Sequence, residues 1–218
     1  MPFVYLPSED DSDDQVYVYI LESLISARAD IAQMRLRRGG GIGEVRKKLP
    51  LLLAAIRRGG QPDDTCFVVA IDNDRALEHP SHGPQPYSRE EPCRHCGLTN
   101  AIHAALPDGW PIPGAVAVPV QMVEAWLLLM HDGTKYPAES ELPACGRRDQ
   151  ASARRLYGPD PPPQLKDLVE AEWRASGAAS REEFALSCIL KLVPDDLAAR
   201  SPSFRRFRDD VARWPAHR

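Results

Sequence analysis

Thr65-Cys66-Phe67-Val68-Val69-Ala70-Ile71 runs without a charged residue and stops at Asp72-Asn73-Asp74. A continuously apolar run rich in β-branched residues suits a strand covered on both faces, the usual state of a parallel sheet. In open α/β sheets, ligands collect where such strands end and loops present polar groups. Two aspartates two residues apart at a strand end can converge on one point. Hard oxygen donors of that kind suit Mg²⁺ or Mn²⁺, which keep waters and bridge to phosphate oxygens. The ordinary alternative is a strand-to-loop Asx turn.

Working upstream, Phe3–Leu6 is a short apolar strand ending at Pro7, and Asp10–Asp14 supplies the carboxylates that favour a helix start. Val16, Ile20, Leu21, Leu24 and Ile25 then recur at helical spacing. Gly39-Gly40-Gly41 breaks the chain before a second helix with Val45, Leu49, Leu52, Leu53 and Ile56 on one stripe. Pro50 either kinks that helix or restarts it. Downstream, 76–113 is irregular apart from a short helix at Asn100–Leu106, and 78–113 reads as a loop-rich insertion. Ala115–Val118 is a further short strand, and Val120–Met130 a helix with Val123, Trp126, Leu127 and Met130 on one face. Helices follow at 149–156, 164–175, 181–192 and 203–213. Strands alternating with helices, then helices alone, predict an α/β core in one domain over 1–218, with a helical C-terminal region over 149–218.

At 218 residues the chain is near the upper size of one domain, and 43% hydrophobic residues can build a sizeable core. No stretch approaches the roughly 20 apolar residues of a membrane span. The start of the chain lacks the features of a secretory signal, so a cytoplasmic location is expected, with no membrane partner. Five cysteines argue against a disulfide framework in that compartment. A net charge of −4 disfavours a protein that coats nucleic acid. Local basic clusters remain at Arg35–Arg38, Arg46–Lys48, Arg57–Arg58 and Arg205–Arg208. They could face a nucleic-acid backbone or be ordinary solvated surface.

Glu124 is the second acidic feature. In Val123-Glu124-Ala125-Trp126-Leu127-Leu128 it follows a strand and sits among apolar helical residues. A carboxylate buried there is costly unless a cation or donors meet it, whereas a solvated helix position is the bland account. The order of parts resembles the Toprim domain of topoisomerases, primases and overcoming-lysogenization-defect (OLD) nucleases. It is most similar to a bacterial Toprim-like family of unknown function associated with those nucleases and with phage defence. The pieces that carry the resemblance are Phe3-Val4-Tyr5-Leu6, Val68-Val69-Ala70-Ile71-Asp72-Asn73-Asp74, Val123-Glu124-Ala125-Trp126-Leu127-Leu128 and Ser201-Pro202-Ser203-Phe204-Arg205-Arg206-Phe207.

The resemblance implies a mostly parallel sheet flanked by helices, with Asp72 and Asp74 as metal carboxylates and Glu124 as a further acidic ligand or support. A glutamate ends the first strand in that pattern; here Pro7 stands at the expected position and Glu9 is the nearest acid. Either the loop shifts and Glu9 serves as ligand or general base, or one catalytic group is lost. Lys166, Arg205 and Arg206 are candidates for contacting phosphate, with solvated surface the competing account.

A separate cluster, His79-x-x-His82 and Cys93-x-x-Cys96, has the close pair spacing of a tetrahedral Zn²⁺ site, with His95 and His103 as spares. Four protein ligands would make that zinc structural; a mobile loop with reduced thiols is the alternative. Nucleophilic catalysis has little support, since no Gly-x-Ser-x-Gly elbow occurs. Gly39–Gly43 lacks the Gly-Lys-Ser/Thr ending of a phosphate loop. The expectation is therefore a Mg-dependent phosphoryl-transfer protein acting on nucleic acid, a nuclease of a defence-type system. The alternatives are a non-catalytic Toprim-like binding or regulatory protein, with a partner protein of a defence or toxin system, and a zinc-stabilised interaction module.

Overall fold

The computed structural model describes residues 3–8, 11–26, 29–35, 41–58, 65–71, 94–105, 114–118, 123–142, 159 and 163–214. Among them the chain is α/β and mostly helical. The strands are β1 (Phe3–Ser8), β2 (Asp30–Arg35), β3 (Thr65–Ala70) and β4 (Gly114–Ala117). The helices are α1 (Asp11–Ile25), α2 (Gly41–Arg58), α3 (Arg94–Ala105), α4 (Glu124–His131), α5 (Leu165–Ser176), α6 (Arg181–Ile189), α7 (Pro194–Arg200) and α8 (Pro202–Val211). A 3-10 turn spans Glu139–Glu141. The chain divides into two compact units, one of Met1–Ile71, Ala76–Val118 and Arg206–Arg218, the other of Asp72–Arg75 and Pro119–Arg205.

The first unit holds a sheet of order β2-β1-β3-β4 in which every pairing is parallel. All of β3 is buried, as its unbroken apolar sequence requires. Its alternate residues Phe67, Val69 and Ile71 join Val116 and Val118 in one core with Leu49, Leu52, Leu53 and Ile56 of α2 and Leu98 and Ile102 of α3. The helix continues through Pro50, so the proline neither ends nor restarts it.

Three boundaries differ from the sequence reading. The strand β1 continues through Pro7 to Ser8, pairing with β2 throughout. Its pairing with β3 stops at Tyr5, so the missing N–H of Pro7 breaks no bond on that side. The strand β2 is an addition: its sequence, with Asp30, Gln33 and Arg35, offers no apolar run, and an edge strand bonds on one side only and tolerates polar residues. The helix α3 starts at Arg94 rather than Asn100 and takes in His95 and Cys96, because Cys96, Leu98 and Ile102 together bury a face. The helix expected at 149–156 lies outside the described residues.

The strand β4 is the other edge, and α8 covers one of its backbone donors. The N–H of Val116 donates to Asp210 Oδ2 at 3.3 Å, while Arg213 Nη1 lies 3.2 Å from Oδ1. Burial pushes the Asp210 carboxyl up to about 6, against the opposing pull of the Val116 N–H and Arg213. Its place in the last turn of α8 adds a negative charge where the helix dipole disfavours one. A carboxyl raised on folding contributes its stability below the unfolded value of 3.8, and that stability is lost as pH climbs through 6. Asp210→Asn keeps an acceptor for Val116 without the charge. The variant should therefore be more stable than the native protein by about 2 kcal/mol at pH 7.5 and indistinguishable from it below pH 4. Urea midpoints across that range check this; a constant difference would show that titration of Asp210 is not its cause.

The second unit is built around α4, whose residues from Glu124 to Met130 are all buried. A helix apolar on every side needs cover on every side, and α5, α6, α7 and the Glu139–Glu141 turn pack against it. The segment expected as one helix over 181–192 is two: α6 ends at Ile189, and Pro194 opens α7 at the helix position where a missing N–H costs nothing.

Candidate functional site

The sheet of the first unit sets where chemistry can gather. With all strands parallel, their carboxyl ends share one edge. The pairing of Phe3 with Thr65 and Tyr5 with Phe67 sets β1 and β3 side by side in the same direction. Glu9 and Asp72 are the next acids in sequence after these two strands. The extension of β1 to Ser8 changes the meaning of Pro7: it lies within the strand, and the residue that directly follows the strand is Glu9. Glu9, Asp72 and Asp74 themselves lie outside the described residues, as do His79, His82 and Cys93.

Glu124 is described, and it is fully buried. It is the first residue of α4, where a carboxylate is favoured by the helix dipole. The residue before it, Val123, supplies no side-chain cap to that helix end. Glu124 Oε1 accepts a hydrogen bond from Arg181 Nη2 at 2.5 Å. Its Oε2 is buried with no hydrogen-bond partner among the described residues. A buried carboxylate oxygen left without a partner costs several kcal/mol by the usual reckoning of buried ions. That orphaned oxygen fits a hard cation, whose preferred donors are carboxylate oxygens.

Arg181 was not legible as a site residue, although one signal was present. It opens α6, directly after the Ser180 cap that accepts from the Glu183 N–H at 3.1 Å. A cation at the positive end of a helix dipole is unfavourable unless an anion holds it there.

The opposite end of α4, roughly 10 Å along the helix, carries a second cluster that sequence reasoning missed. Glu172 of α5 receives a hydrogen bond from Tyr136 Oη at 2.6 Å and pairs with Lys135, while His131 Nε2 lies 3.3 Å from its other oxygen. The Lys135 ammonium, then the Tyr136 hydroxyl, hold the Glu172 carboxyl below its usual range. Burial, then Glu172, pushes the Tyr136 phenol up to about 12. Arg200 Nη1 donates to the Leu129 and Tyr136 carbonyls at 3.1 and 3.3 Å, closing the carboxyl end of the helix. This cluster fastens α4 to α5 and α7.

Of the remaining candidates, Lys166 and Arg205 are exposed and Arg206 is partly buried. Cys96 is buried in the first turns of α3. Among the described residues, no three His, Cys, Asp or Glu side chains gather within reach of one metal ion. Among them too, no helix is long and apolar enough to cross a membrane. No protein-family model matches the chain, and no curated protein or solved structure matches it.

Proposed function

We propose that the chain is a Toprim-like protein that uses Mg²⁺ or Mn²⁺ to cut phosphodiester bonds in nucleic acid. The observation that carries this reading is the parallel pairing of two neighbouring strands, β1 and β3, which in the sequence are followed by Glu9 and, after Ile71, by Asp72. Carboxylates following the carboxyl ends of adjacent strands are the arrangement that α/β sheets use for ligand sites. Asp72, Asp74 and Glu124 are the proposed metal carboxylates, and Glu9 a ligand or general base. A bound divalent ion would polarise the phosphodiester and stabilise its developing charge. The chain's own acids would hold that ion and take a proton from the attacking water. The buried Oε2 of Glu124, without a hydrogen-bond partner among the described residues, supports the assignment of Glu124.

The test is cleavage of labelled DNA and RNA in Mg²⁺ or Mn²⁺, beside the Asp72→Ala/Asp74→Ala variant. Loss of both carboxylates should slow cleavage at least about a hundredfold. Equal rates in the two proteins would remove Asp72 and Asp74 from the site.

One observation favours a second reading, a non-catalytic binding or regulatory protein on the same fold. Arg181 already neutralises one oxygen of Glu124. That reading predicts a Mg²⁺-dependent gel shift with intact nucleic acid and no cleavage in either protein.

A further inference from the structure

The two oxygens of Glu124 have different surroundings, and the residue that makes the difference lies partly at the surface. Glu124 is 0% exposed and Arg181 40% exposed, so the pair has one partner sealed in and one at the surface. Only Oε1 is bonded to Arg181, and the buried Oε2 has no hydrogen-bond partner among the described residues. Arg–carboxylate pairs are frequently bidentate, because the planar fork matches both oxygens. Here half of the carboxylate is left over. Arg181 also sits at the positive end of α6, which disfavours a cation, in a first turn that carries Glu182 and Glu183 as well.

We infer that Arg181 is the resident counter-ion of Glu124, holding the carboxylate until a divalent cation binds and then giving way to it. The inference rests on the reading of Glu124 as a metal ligand and adds a regulation of that ligand. Before the metal arrives, the guanidinium spares the interior an uncompensated charge. Once a divalent cation binds Oε2, two cations share one carboxylate, and their repulsion in a poorly solvated site drives the exposed partner outward. A released guanidinium at the surface is then free to take a phosphate oxygen pair, the group it matches best.

Metal affinity decides this without any assay of cleavage. Free Mn²⁺ is followed by its electron paramagnetic resonance signal during titration of the full chain. The variant Arg181→Gln keeps a donor for Oε1 but carries no charge, and it should bind Mn²⁺ about tenfold more tightly than the native protein. Arg181→Lys, which keeps the charge, should bind as the native protein does, and Glu124→Gln should bind more weakly. A second measurement needs no variant: adding Mg²⁺ to the native protein should speed hydrogen exchange of the amides at the start of α6. If Glu124→Gln weakens binding while Arg181→Gln does not tighten it, or if α6 exchange is unchanged by Mg²⁺, the counter-ion role is wrong and the metal ligand stands. If Glu124→Gln binds Mn²⁺ as tightly as the native protein, or nothing binds, Glu124 is no ligand and the inference falls with that reading.

Discussion

Gly114→Ala should destabilise the first unit by about 3 kcal/mol, although the same change at a permissive site gains about 0.4–1 kcal/mol. Gly114 is the first residue of β4 and stands directly opposite Phe67 on β3. A Cβ built on Gly114 meets the Phe67 ring at 2.5 Å from Cε1 and 2.7 Å from Cε2, and closer still at Cζ. The backbone is not the obstacle, since among the described glycines only Gly177 has a positive φ. The obstacle is the ring, which fills the space where the side chain would go. Phe67 cannot retreat, because it is fully buried in the core with Leu49, Leu53, Leu98 and Ile102.

The effect should therefore depend on the ring. Phe67→Leu alone removes packing and costs about 1–2 kcal/mol. Added to Gly114→Ala, it should recover part of the loss, giving a coupling of about 2 kcal/mol in the double-mutant cycle. Urea midpoints at constant slope measure each corner. A Gly114→Ala protein as stable as the native one would mean that Phe67 does not lie over Gly114.

The same sheet shows what the sequence could and could not convey. The strand β3 was readable because a strand buried on both faces must be apolar at every position, a pattern that needs no knowledge of its neighbours. The strand β2 was not, because an edge strand can carry Asp30, Gln33 and Arg35 without leaving polar groups dry. Pro7 misled for a related reason: proline is a poor strand residue only where its N–H is needed, and need depends on how far β3 pairs with β1. Glu124 was visible as an acid among apolar neighbours, a local anomaly. Arg181 lies 57 residues away from it in sequence, and only folding brings the two together. Long-range pairs of this kind leave a trace solely when one member looks misplaced in its own element, as a cation at a helix start does.

Glu139 is a stronger instance, and it carries the other large effect: Glu139→Ala should cost the second unit about 3–5 kcal/mol. In sequence, Glu139-Ser140-Glu141 looks like an ordinary polar loop. In the fold Glu139 is 3% exposed and lies at the start of α8. Its Oε2 accepts from Ser201 Oγ at 2.9 Å and from the Ser203 N–H at 3.2 Å, and its Oε1 accepts from Ser203 Oγ. The two hydroxyls accept in turn: Ser201 Oγ from the Phe204 N–H at 3.1 Å, Ser203 Oγ from Trp126 Nε1 at 2.8 Å. Trp126 also packs edge-on against Phe204, with centroids 5.3 Å apart. Ser201-Pro202-Ser203-Phe204 thus has a structural task, presenting a helix start and two hydroxyls to one buried carboxylate.

Removing the carboxylate takes the acceptor from two hydroxyls and an N–H in the interior, and the 3.3 Å approach of Ser201 Oγ to Ser203 Oγ can replace it for one hydroxyl alone. An exposed cap lost from a helix costs only about 1 kcal/mol, so a loss of that size would show that Glu139 is solvated. The near-isosteric Glu139→Gln separates shape from chemistry. Its amide offers hydrogens where both serines need an acceptor, and each serine already accepts elsewhere, so about 1–3 kcal/mol should still be lost. Ser203→Ala should cost less by itself, and much of its cost should vanish once Glu139 is already alanine. Additive losses at the two positions would mean that each residue acts alone, and the chain from Trp126 through Ser203 to Glu139 would not be a single network.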